Sequence, residues 1–211
     1  MIQTLTLILA ATSAEYQPID IVAATTLTLE RTSAWVNTNQ PDEDQATELT
    51  STPALWGKEG HWRWGLVGGW GEDVKHDQNT LIDFGVEFEY FVDENLSVDF
   101  GFLGVDFDQS GENTNGFNFT LQLRWHAIVK ERWSFFIEGG AGLLRTGDKV
   151  PSDGSRFNFT PQAGVGFTFD IGNNARWMIG AKWHHISNAN TYSSNPGRDS
   201  IMYWTGISFP F

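Results

Sequence analysis

The chain has 211 residues, 26 acidic and 13 basic, for a formal net charge of -13, and no cysteine. That balance excludes a nucleic-acid binder, which needs basic side chains to neutralise phosphates, and the missing cysteines exclude disulfides and thiolate metal sites. No apolar run approaches the ~20 residues of a membrane helix, yet 16 Phe, 10 Trp and 22 Gly suit a transmembrane β-barrel, whose strands are apolar only at alternate positions.

Met1 to Ala14, "MIQTLTLILAATSA", has a short apolar core and ends in small residues. This is the pattern of a signal peptide, although no Lys or Arg precedes the core, and export is expected. Residues 15–60 are polar, acidic and rich in Thr, with "NQPDEDQATELT" the most solvated stretch. They are expected to form a poorly ordered or periplasmic N-terminal extension, with room for one strand around Ile19–Leu29.

From His61 onward, period-2 alternation predicts a single domain over residues 61–211. The first strand is "HWRWGLVGGWG", with Trp62, Trp64, Leu66 and Trp70 on one face and Arg63 on the other. The second, "TLIDFGVEFEYF", sets Ile82, Phe84, Val86, Phe88 and Tyr90 against Asp83, Glu87 and Glu89. "NLSVDFGFLGVDF" and "FNFTLQLRWHA" follow as the third and fourth, the latter setting Leu121, Leu123 and Trp125 against Gln122, Arg124 and His126. Four more are predicted over Trp133–Arg145, Arg156–Asp170, Arg176–Asn188 and Ser200–Phe211. Pro161 falls inside the sixth, where it removes a ladder donor and suggests a bulge.

The alternation alone fits a soluble sandwich too, and three details favour a barrel. Charged residues recur on the polar face of successive strands, as a barrel interior requires. Short turns ("VDEN", "VKER", "IGNN") alternate with long polar loops ("EDVKHDQN", "DQSGENTNG", "GDKVPSDGS", "ANTYSSNPGRD"), the asymmetry of periplasmic turns and extracellular loops. Trp62, Trp64, Tyr90, Trp125, Trp133 and Trp177 all fall next to the short turns, where amphipathic rings form an interfacial girdle. The predicted fold is therefore all-β, an eight-stranded antiparallel up-and-down transmembrane barrel. Its interior is filled by side chains, with Arg63, Arg124 and Lys182 expected to pair with Asp83, Glu87, Glu89, Asp99 and Glu138.

The seventh strand carries an anomaly. In "ARWMIGAKWHHISN" the parity that sends Trp177, Ile179, Ala181 and Trp183 outward also sends His185 and Ser187 outward. Asp199 opens the eighth strand with the outward parity of Ile201. Polar groups on the lipid face are penalised, least near the interface, so a strand simply leaving the membrane is the plain explanation. The alternative is chemical. Residues i and i+2 share a face ~6.6 Å apart, and a neighbouring strand lies ~4.8 Å away. His185 can then receive Ser187 on one ring nitrogen and Asp199 on the other, the arrangement that makes a serine hydroxyl nucleophilic. Asn188 follows at once, with an amide able to donate to an oxyanion.

The stretch "HHISNANTYSSNPGRDS" followed by an aromatic C-terminal strand resembles the terminal motif of the lipid A 3-O-deacylase (PagL-type) family, specifically over Trp183–Phe211 and at the level of strand pattern from His61. The resemblance implies an outer-membrane barrel that hydrolyses the ester-linked acyl chain at the 3-position of lipid A. It implies His185 as base, Ser187 as nucleophile, Asn188 as oxyanion contributor and Asp199 at the acid position, where the family pattern has Glu. No cofactor is implied. Lipopolysaccharide and outer-membrane lipids are the expected partners, with a homodimer left open. Arg145 and Arg156, near the outer ends of the fifth and sixth strands, are candidate contacts for lipid A phosphates. The competing readings are a structural or adhesive barrel without activity and an outer-membrane phospholipase.

Overall fold

Alternation of apolar and polar residues, carried for ten or more residues at a time, makes each long segment a strand with one wet and one greasy face. The computed structural model, which describes residues 56–75 and 79–211, arranges them as β1 (Trp62–Asp73), β2 (Thr80–Asp93), β3 (Leu96–Asp108), β4 (Thr114–Val129), β5 (Trp133–Val150), β6 (Ser155–Phe159), β7 (Gln162–Gly172), β8 (Ala175–Ile186) and β9 (Arg198–Pro210). The expected signal peptide, residues 15–55 of the expected extension, and His76 lie outside the described residues. Trp56 to Gly60, which the sequence assigned to that extension, form turns at the short-turn end of the barrel. There Trp56 meets His126 edge-on at 4.6 Å and lies 4.0 Å beneath the Arg176 guanidinium.

Every neighbouring pair is antiparallel, and β1 pairs with both β2 and β9, closing the ring. The predicted sixth strand is divided: β6 and β7 both pair with β5 and together occupy one position, so the ring is eight strands around. Pro161 marks the division, but the expected bulge is absent. Leu143 faces Phe159 before it and Gly140 faces Gln162 after it, three residues on along each strand, so the register is unbroken. The proline removes only a donor. The His185 N–H still donates to the Pro161 carbonyl at 2.9 Å, while no N–H is available for the return bond.

Strand parity sorts the side chains as the sequence reading expected. Phe119, Leu121, Leu123 and Trp125 are exposed on the outside of β4, while Asn118, Thr120, Gln122, Arg124 and His126 are buried within. At the centre Arg124, 1% exposed, lies 2.9 Å from Glu87, 3.0 Å from Asp99 and 2.9 Å from Glu138. Arg63 donates to the Ser208 hydroxyl at 2.8 Å and lies 3.8 Å from Glu89. Lys182 and Asp83 are also buried, but no ion pair forms between them. The short turns gather at one end, and two of the three are built on left-handed asparagines, Asn95 (φ 62°) in one and Asn173 (φ 52°) and Asn174 (φ 56°) in the other, the residue type that tolerates this conformation best after glycine. Trp62 stacks near Tyr90 at 4.7 Å and Trp177 near Phe169 at 5.6 Å at that end, as an interfacial girdle requires. The long loops, including the one from Ser187 to Gly197 between β8 and β9, lie at the other end.

Candidate active site

The outward parity of β8 and β9 brings two distant sequence positions face to face. His185 and Asp199 are direct cross-strand partners, and His185 Nδ1 lies 2.7 Å from Asp199 Oδ1. Both side chains are about a quarter exposed, at 26% and 27%, so the pair sits on the outer surface at the long-loop end. A short contact of this kind fixes the imidazole tautomer with its proton on Nδ1 and leaves Nε2 free to accept.

Ser187 stands one residue beyond the end of β8 and keeps its outward parity. Its backbone is pinned by a two-way bridge to Phe159, Ser187 N to Phe159 O at 3.1 Å and Phe159 N to Ser187 O at 2.7 Å. Among the described residues no hydrogen bond joins its hydroxyl to His185. Asn188 is 1% exposed and turned into the loop: its amide Nδ2 donates to the Ser194 carbonyl at 2.6 Å, and its Oδ1 accepts from the Asn190 N–H at 3.0 Å. Its own N–H donates to Asn195 Oδ1 at 2.9 Å. These bonds wind the chain through two consecutive left-handed residues, Ala189 (φ 50°) and Asn190 (φ 62°), so the loop turns away directly after the serine.

Three neighbours of the pair carry no motif. Trp183, two residues before His185 on the same face, donates its indole N–H to Asp199 Oδ1 at 3.2 Å. Lys75 Nζ, from the β1–β2 loop, lies 3.6 Å from Asp199 Oδ2. Gly197 (φ +65°) passes so close that a Cβ on it would stand 3.2 Å from His185 Cε1. The two arginines differ. Arg145 is exposed on β5 and forms no ion pair among the described residues, whereas the Arg156 guanidinium is tied to Asp148 at 2.7 Å. Below the site, an apolar groove of about 880 Å³ runs over β1, β2, β8 and β9 between Trp70, Phe84, Trp177 and Tyr203. Among the described residues no three His, Cys, Asp or Glu side chains are gathered to hold a metal.

A closed antiparallel barrel with a charged core, an apolar outside and its long loops at one end is an outer-membrane protein of the bacterial type. The family model of lipid A 3-O-deacylase (PagL) matches residues 54–208, and the chain belongs to that family. It is accordingly an outer-membrane enzyme that removes the 3-O-linked acyl chain of lipid A. Among solved structures, the crystal structure of the outer membrane enzyme PagL is similar with a TM-score of 0.56 at 18% identity, over 70% of this chain and 99% of that one. The crystal structure of Neisserial surface protein A is similar with a TM-score of 0.54 at 10% identity, over 72% and 96%. At these identities the two likenesses bear on the fold alone. No curated protein sequence matches.

Proposed function

We propose that Ser187, His185 and Asp199 carry out the hydrolysis. The observation behind this reading is the 2.7 Å His185–Asp199 contact on the lipid-facing surface, two residues from a serine of the same parity. Buried ion pairs elsewhere in the barrel serve packing, but an imidazole–carboxylate pair facing lipid gains nothing for the fold that an apolar pair would not supply.

The substrate ester reaches the site laterally from the outer leaflet. The Ser187 hydroxyl attacks the ester carbonyl as His185 Nε2 takes its proton, and Asp199 supports the imidazolium that forms. The tetrahedral intermediate collapses, the bond from carbonyl carbon to the lipid A 3-oxygen breaks, and His185 returns the proton to that oxygen. A water, deprotonated in turn by His185, releases the fatty acid from Ser187. Asn188 contributes to the oxyanion once its carboxamide, held within the loop by Ser194 and the Asn190 N–H, turns toward the serine: an amide has two hydrogens, and only one is spent on Ser194. The groove on β9 begins at Tyr203, four residues from Asp199 or ~13 Å along the strand, within reach of an acyl chain whose carbonyl sits at Ser187. Arg145, which forms no ion pair among the described residues, takes a lipid A phosphate, joined by Arg156 once it is released from Asp148.

Mass spectrometry of lipid A from cells expressing the wild-type chain or Ser187→Ala tests the reading. One hydroxyacyl chain is lost with the wild type and retained with the variant. Unchanged lipid A in both, with changed phospholipids, makes the protein a phospholipase. No lipid change at all makes it a structural barrel.

A further inference from the structure

Asp199 Oδ1 takes two donors, His185 Nδ1 at 2.7 Å and the Trp183 indole Nε1 at 3.2 Å. The same indole lies parallel to the imidazole, ring centroids 5.7 Å apart and planes 22° from one another. Trp183 thus touches both members of the pair, although its side chain is 42% exposed on the outside of the barrel. An exposed outer-face tryptophan needs no polar partner where its N–H can reach interfacial water. Here it spends that donor on a carboxylate instead.

We propose that Trp183 is a positioning residue for the reaction. Its N–H fixes the Asp199 carboxylate in the rotamer that meets His185, and its face supports the imidazolium formed when Ser187 gives up its proton. The need is physical. An aspartate has a single methylene between backbone and carboxylate, and its Oδ2 is also drawn toward Lys75 at 3.6 Å. Without a second anchor on Oδ1 the carboxylate is free to swing to the lysine. A ring face within ~6 Å of a cation attracts it, and hydrogen bonds to charged groups are stronger than neutral ones. The attraction of the ring face grows when the imidazole becomes charged, and the N–H keeps the carboxylate where that charge forms, so the residue acts on turnover rather than on substrate binding.

This inference rests on the proposed roles of His185 and Asp199, and the test separates the two. With the full-length barrel in detergent and a soluble short-chain p-nitrophenyl ester, Trp183→Phe keeps a ring and removes the donor. It should lower kcat about tenfold at unchanged KM, and Trp183→Ala, which removes both, about 100-fold. Unaltered heat-dependent gel migration controls for folding. Independently of activity, the Trp183 indole ¹H–¹⁵N resonance, assigned by its loss in Trp183→Phe, should move in Asp199→Ala. A Trp183→Phe enzyme within twofold of wild type, a change confined to KM, or an unmoved indole resonance overturns the positioning role while leaving the wild-type activity standing. A wild-type barrel that cleaves neither this ester nor lipid A overturns both readings.

Discussion

His185 and Asp199 stand directly opposite one another in the β8–β9 ladder, and their side chains close to 2.7 Å. The aspartate therefore reaches the imidazole although the family resemblance implies a longer glutamate at this position. If the carboxylate orients the base and stabilises its charged form without itself exchanging a proton, as proposed, Asp199→Ala should leave more activity than loss of the base or nucleophile. Asp199→Glu should also be impaired, because an added methylene has to be absorbed in a contact that is already short. Initial rates on purified lipid A, with the three variants side by side, decide it: an Asp199→Ala rate as low as that of Ser187→Ala gives the carboxylate a larger role.

Ser187→Ala and His185→Ala should each reduce deacylation to background, and the double variant should be no worse than either single one. Groups that act as one unit lose their joint contribution when the first is removed. Additive losses, read from the same lipid A assay, would mean that the two side chains act separately.

Gly197 provides a test through backbone geometry. Its φ of +65° disfavours any residue with a Cβ, and that atom would lie 3.2 Å from His185 Cε1. Gly197→Ala should therefore lower turnover by about tenfold through a displaced imidazole and a reshaped loop. The barrel itself should persist, because the change lies at the end of the loop and outside the packed interior. Retained heat-dependent gel migration with a reduced rate is the expected combination.

Much of this was legible in the sequence because a strand reports the direction of every second side chain. The rule that buries Arg124 and exposes Trp125 also places His185 and Asp199 on the outside, and the structure follows it in both cases. What parity does not convey is where a chain goes once it leaves the strand. Asn188 continues the motif in sequence, but it stands in the loop, where local hydrogen bonds bury its carboxamide. Pro161 could be read as a lost donor, but an unbroken register depends on both neighbouring strands, which one segment does not reveal. Trp183 looked like any other outward aromatic of β8. Its tie to Asp199 depends on a diagonal across two strands and on an indole rotamer, neither of which has a sequence signature.

The two arginines should now separate. Arg156 is paired with Asp148 at 2.7 Å and has to break that contact to take a phosphate, while Arg145 forms no ion pair among the described residues. If they hold lipid A phosphates, Arg145→Gln should weaken use of lipid A more than Arg156→Gln, and neither should alter hydrolysis of a soluble uncharged ester. Equal losses on both substrates would instead indicate a damaged barrel.

The core makes the last prediction. Arg124 is buried within 3.0 Å of Glu87, Asp99 and Glu138, and Glu89 lies 3.9 Å away. Its guanidinium also lies 4.9 Å from the centre of the Phe136 ring. Removing one member of a buried ion cluster leaves charges without a counter-ion and typically costs ~3–5 kcal/mol, whereas removing the whole cluster is often nearly neutral. Arg124→Met should therefore destabilise the barrel severely, seen as a lower urea midpoint for unfolding from lipid vesicles. Adding Glu87→Gln, Asp99→Asn and Glu138→Gln to it should recover much of the loss, since three of the carboxylates are then neutral and Glu89 keeps Arg63 at 3.8 Å. The quadruple variant should also deacylate lipid A at close to the wild-type rate once folded, because His185, Ser187 and Asp199 face the other side of the wall. A quadruple variant no more stable than Arg124→Met would show that the arginine matters through its packing on Phe136 rather than through charge.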